Sequence, residues 1–178
     1  MKRLIMCEGS NELTIINILL ENNALIFTED DLLGLTAYHA RQIKSNAQVR
    51  LELNMYPGTD VSVMRIGDKQ TDRLVIPADY KEKICTVEKY CTMPELEMLL
   101  IISEGLVKEF EIIKTKVAPK AFAKQNVSHN RTRYDNSSRF YRDYYGSEPQ
   151  KLINAIREYK RINGAHQKDE LYLADILK

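Results

Sequence analysis

The sequence has no tryptophan, and only three histidines and three cysteines among 178 residues. With His39, His129 and His166 scattered, a histidine-based metal site or triad is not expected. Cys7, Cys85 and Cys91 are odd in number and lie in or beside apolar runs, so no disulfide framework is implied and a reducing compartment is expected. The apolar run Leu4 to Cys7 is cut by Glu8, too early for a signal-peptide core, and no stretch reaches the ~18 apolar residues of a membrane span. A soluble, cytoplasmic protein with no membrane partner is expected. There is no Gly-x-x-x-x-Gly-Lys phosphate loop, no Gly-x-Ser-x-Gly elbow, no Gly-x-Gly-x-x-Gly, no paired-cysteine pattern and no His-Glu-x-x-His. Any catalysis must rest mainly on carboxylates.

A dominant charge is also missing, because 26 Lys and Arg face 25 Asp and Glu. The balance conceals two opposite parts. Residues 1–105 hold 11 bases and 16 acids, whereas residues 106–178 hold 15 bases and 9 acids. Neutrality therefore does not exclude a nucleic-acid partner. The 44% hydrophobic content supports a folded core, and the length suits one domain with an appendage.

In the first part, short apolar runs alternate with helical patterns. Leu4 to Cys7 predicts a strand, and Leu13, Ile16 and Leu20 predict the helix after it. Leu25 to Phe27 predicts a second short strand and Tyr38 to Met55 a helix. Pro57-Gly58 then breaks the chain before a third strand, Val61 to Ile66, closed by Gly67-Asp68. Ile84 to Val87 predicts a fourth strand ending at Glu88. Thr92-Met93-Pro94-Glu95 has capping-box spacing ahead of an apolar helix that ends near Gly105. This alternation predicts an α/β fold with a mainly parallel sheet flanked by helices over residues 1–105, followed by a basic helical C-terminal extension over 106–178 that packs on it and ends in a short helix over 171–177.

Strand ends are where such folds place ligands, and here they carry acids: Glu8, Asp68 with Asp72 just beyond, and Glu88. A cluster of this kind repels itself unless a cation neutralises it, and hard oxygen donors suit Mg²⁺ or Mn²⁺ and phosphodiester chemistry. Glu97, on the otherwise apolar Leu96 to Ile102 helix, is either a further ligand or that helix's one wet position. Glu95 is explained by the capping box, and a strand-end acid taken alone is more usually a helix cap or a solvated loop residue.

Cys7-Glu8-Gly9-Ser10-Asn11-Glu12 before an amphipathic helix resembles the first motif of the Toprim domain. Val63-Met64-Arg65-Ile66-Gly67-Asp68 resembles the strand of its aspartate motif, and Val87-Glu88-Lys89-Tyr90 with Pro94 to Leu100 resembles the acidic segment of small Toprim proteins and of OLD-type nucleases in bacterial defence. The resemblance covers roughly residues 3–105. It implies a Toprim-like fold and a Mg²⁺-dependent nuclease acting on DNA or RNA, in phage defence or RNA processing. Glu8 would be general base or metal ligand, Asp68 a metal ligand, and Asp72, Glu88 and Glu97 candidates to complete the site. The usual Asp-x-Asp pair is replaced by Asp68-Lys69-Gln70, with the next acid at Asp72. That departure keeps a second reading open: a non-catalytic subunit or regulator that binds nucleic acid or a protein partner, with self-association also open.

Between Lys114 and Arg161 twelve bases face four acids, interleaved with Tyr134, Phe140, Tyr141, Tyr144, Tyr145 and Tyr159. Lys120, Lys124, Arg131, Arg133, Arg139, Arg142 and, in a later polar turn with His166, Lys168 are the candidate phosphate contacts. The aromatics either stack on bases or pack inward beneath a solvated basic face. Helical spacing would put Tyr134, Ser138 and Tyr141 on one face and Arg131, Asp135, Arg139 and Arg142 on another.

Overall fold

The computed structural model describes residues 1–68, 73–92, 95–162 and 170–178. In chain order the elements are β1 (Lys2–Cys7), α1 (Ser10–Glu21), β2 (Leu32–His39), α2 (Ala47–Met55), β3 (Val61–Gly67), β4 (Ile84–Cys91), α3 (Glu95–Ser103), α4 (Val107–Ile113), α5 (Pro119–Asn126), β5 (Ser128–His129), β6 (Thr132–Arg133), α6 (Ser138–Tyr145), α7 (Pro149–Ile162) and β7 (Glu170–Leu171), then a 3₁₀ turn over Leu173–Ile176. The main sheet has the order β2-β1-β3-β4-β7, with all neighbours parallel. The expected α/β class with a parallel sheet and flanking helices is thus present.

β1 over its last four residues and β3 throughout are buried on both faces, so they read as near-continuous apolar runs. Ile5, Cys7, Met64 and Ile66 face one core with α1, α3, α6 and α7. The alternate positions Leu4, Met6, Val61 and Val63 face a second core that α2 covers with Val49 and Leu53. The first core is continuous across residue 105, joining Ile16 and Leu99 to Tyr141, Leu152 and Ile156. Among the described residues no helix is long and apolar enough to cross a membrane.

Several expectations are corrected. Leu25 to Phe27 is not a strand; Leu25 forms only an isolated bridge to Leu177. The second strand is Leu32–His39, so helix does not begin at Tyr38 but at Ala47. Alternation in β2 is interrupted at Gly34 and Leu35, both at positive φ, where the register jumps from Arg3↔Leu32 to Ile5↔Ala37; this bulge hides the strand's period. β4 runs three residues beyond Glu88, and its Lys89 and Tyr90 pair with β7, a strand too short to leave a pattern. The final segment after it is a 3₁₀ turn. Residues 131–136 are hairpin and loop, and helix begins only at Ser138, so Tyr134 and Arg131 share no helical face with α6. Met93, Pro94 and the side chain of Glu95, on which the expected capping box depends, lie outside what is described.

Candidate functional site

β1 pairs with β2 on one side and β3 on the other, so the chain reverses its direction of travel across the sheet between β1 and β3. In such sheets a crevice opens beyond the carboxyl ends of those two strands. Glu8 and Asp68 each stand one residue past the end of their strand. A cleft of about 260 Å³ there is lined by Glu8, Glu12, Asp68 and Glu97, with Asn11, Asn136, Arg41 and Lys120.

Glu8 extends the β1–β3 ladder by one rung, its N–H donating to Ile66 O at 2.8 Å. Its side chain pairs with Arg41 at 3.2 Å, and the Nε2–H of His39 donates to its main-chain carbonyl at 3.1 Å. Gly67 makes room for it: a Cβ there would run into the Glu8 carboxylate.

Glu12 sits in the first turn of α1 and is only 7% exposed. Burial, followed among the raising influences by the charges of Asp68 and Glu8, lifts its carboxyl above the usual range. The hydroxyl of buried Thr92 lies 3.4 Å from Glu12 Oε1 and 3.5 Å from Asp68 Oδ1, so one proton serves two acceptors. Asp68 itself is exposed, and its main-chain carbonyl accepts from Cys91 Sγ at 3.0 Å. Glu97, half-buried in the first turn of α3, is also raised, by burial first and by Asp68, against the pull of Lys120 and a hydrogen bond from Tyr134 at 3.4 Å.

Asn11 spends its amide N–H on Asn136, at 3.2 Å to the main-chain carbonyl and 3.3 Å to Oδ1. Its own Oδ1 is buried without a partner among the described residues. Tyr134 joins Asn136 Oδ1 and Tyr141 to the same network, each at 2.9 Å.

Glu8, Asp68 and Glu97 are therefore brought together, as the sequence led one to expect. Glu88 is not: it lies inside β4, opposite Met64, and accepts from the Tyr90 hydroxyl at 3.1 Å. Asp72 lies outside the described residues. Glu12 was missed, although an acid four residues before Ile16 and seven before Leu19 falls on the apolar stripe of α1, which is a legible anomaly.

The donor set of carboxylates and a free amide oxygen suits a hard divalent cation. Among the described residues, however, no group of three or more His, Cys, Asp or Glu side chains is arranged to hold a metal ion. Loading would require the side chains to draw together.

The basic candidates divide. Lys120 lines the cleft, while Lys124, Arg131 and Arg133 are exposed. Arg142 makes two bonds to Glu21, at 2.6 and 3.0 Å, and Arg139 pairs with Asp143 at 3.6 Å. Lys168 and His166 lie outside the described residues. Tyr134, Phe140, Tyr141, Tyr144, Tyr145 and Tyr159 are all at most 4% exposed, so they pack inward and offer no stacking platform. Comparison with protein-family models, with curated proteins and with solved structures found no match for the chain.

Proposed function

We propose that the chain is a Toprim-like, Mg²⁺- or Mn²⁺-dependent phosphodiesterase acting on DNA or RNA. The observation that carries this reading is that Glu8, Glu12, Asp68 and Glu97 line one cleft at the carboxyl end of β1 and β3, beside Asn11 Oδ1, which has no partner among the described residues. Four acids here are a liability for a bare fold, since Glu12 and Glu97 are held above the usual carboxylate range by burial and by Asp68. A divalent cation would relieve that repulsion, with Asp68, Glu12, Glu97 and Asn11 as its oxygen donors. Bound there, it would polarise the phosphodiester and stabilise the leaving oxygen. Glu8, held by Arg41 and seated against Gly67, takes the proton of the attacking water on its carboxylate. Lys120 and Arg41 attract the phosphate from opposite chain segments. Phage defence and RNA processing are the settings the resemblance implies.

The test is cleavage of a mixed DNA and RNA pool with Mg²⁺ or Mn²⁺. Glu8→Gln and Asp68→Asn should each lower the rate by at least ~100-fold while the far-ultraviolet dichroism is kept; unchanged rates would overturn the assignment. A non-catalytic binding subunit is the second reading, favoured by the lack of a ready three-acid metal group among the described residues. It predicts no heat on titration with either cation and nucleic-acid or protein association that ignores both substitutions.

A further inference from the structure

The cation excess of residues 106–178 looks like the nucleic-acid surface, yet much of it is spent inside the fold. Arg142 holds Glu21, Lys151 reaches Glu104 at 3.3 Å, Arg161 holds Glu158 at 2.6 Å, and Lys160 pairs with Asp175. Beyond Arg41 the situation is reversed. The segment after β2, Arg50 of α2 and the chain from Val75 to Lys81 line a groove of about 1040 Å³. Its rim carries Lys44, Arg50 and Lys81 against one acid, Asp79. All three cations are exposed and form no ion pair among the described residues.

The groove is also shaped. The side-chain amide of Gln42 donates to Arg73 O at 3.1 Å and accepts from Val75 N at 3.0 Å, a two-point clamp that ties this segment to the β2–α2 loop. Val75 is 67% exposed, on a floor continued by Ile76 and Pro77. The Tyr80 hydroxyl donates to Asn54 Oδ1 at 3.0 Å, fixing the far wall to α2. Gln42 follows Arg41 directly, and Arg41 lines the carboxylate cleft, so one short segment contributes to both the groove and the candidate catalytic site.

We infer that this groove is the track for a single-stranded nucleic acid, its backbone phosphates on Lys44, Arg50 and Lys81 and its unpaired bases on the apolar floor. Charge complementarity selects a polyanion, and the exposed apolar floor selects one whose bases are free to contact it, which a duplex does not offer. The inference rests on the phosphodiesterase reading for its substrate class, but binding in chelator separates the two.

The experiment measures fluorescence anisotropy of labelled oligothymidylate and oligouridylate with full-length protein in EDTA, across a salt series. Lys44→Gln/Arg50→Gln/Lys81→Gln should weaken both oligonucleotides and lower the slope of log affinity against log salt by about 2, at ~0.7 per phosphate contact. Arg131→Gln/Arg133→Gln should leave both nearly unchanged. Val75→Ser, which keeps every charge, should weaken binding without altering the slope. Loss of binding in Arg131→Gln/Arg133→Gln with the groove variant unaffected would overturn the track. So would equal competition by polyglutamate, which would identify an acidic protein surface, or no binding by the native chain. Should Glu8→Gln retain cleavage while the groove variant loses binding, the catalytic reading fails and the track stands.

Discussion

The amide of Asn11 donates to the main-chain carbonyl of Asn136 at 3.2 Å, tying the first turn of α1 to a loop 125 positions further along the chain. Asn136 holds a φ of +67°, a conformation that asparagine tolerates better than most residues. Replacing it with glycine keeps the backbone but removes the side-chain acceptor shared by Asn11 and Tyr134. Asn136→Gly should cost about 1–2 kcal/mol in urea denaturation. Asn136→Ala should cost about 1 kcal/mol more, because alanine adds the strain of the left-handed backbone.

The raised carboxyls of Glu12 and Glu97 give the metal-free protein a pH signature. A carboxyl raised in the folded state binds more protons folded than unfolded, so its contribution to stability is full below the ordinary glutamate value of 4.5 and is lost as pH climbs through the raised folded value. Relative to the native chain, Glu12→Gln and Glu97→Gln should therefore gain stability progressively above that range and converge with it, or fall behind, in more acid buffer. Melting curves from pH 4 to 8 in EDTA check this. Cation at 100 times its dissociation constant should add about 2.7 kcal/mol to the native chain and less to either variant.

Two glycines separate site from scaffold. A Cβ on Gly67 would collide with the carboxylate of Glu8 and also stand 2.6 Å from its Cβ, which the backbone holds in place. Gly67→Ala should therefore lower the melting temperature as well as displace Glu8 and lower cleavage by about 100-fold. Gly105 has open space where a Cβ would stand, but a φ of +70°. Gly105→Ala should cost about 1 kcal/mol of stability and leave cleavage unaltered. Parallel rate and melting measurements distinguish them.

Arg142 spans from α6 to Glu21 at the end of α1, and both partners are about half exposed. Such a pair contributes at most about 1 kcal/mol in solvent. Arg142→Ala should lower stability by no more than that, lose the effect in high salt, and leave oligonucleotide affinity unchanged. A marked loss of affinity would return this arginine to the nucleic-acid surface.

Local chemistry made part of the molecule legible in advance. β1, β3 and the helices Ser10–Glu21 and Glu95–Ser103 follow from apolar runs and helical spacing, because residues buried on both faces of a parallel strand leave an uninterrupted apolar signature. Glu8 and Asp68 were readable for the same reason: a charge directly after such a run has to lie at the sheet's edge. Tertiary structure decided the rest. Only the sheet order sets β1 beside β3 and turns two distant strand ends into one cleft, and only packing places Glu12 and Glu97 over it and Glu88 away from it. Whether a basic residue is free or paired is equally a matter of what lies across from it. Net charge marked residues 106–178 as the cationic part, but Glu21 and Glu104 from the first part and Asp175 from the last turn neutralise several of its arginines and lysines, while Lys44, Arg50 and Lys81, few and dispersed in an acidic stretch, are left facing solvent around one groove.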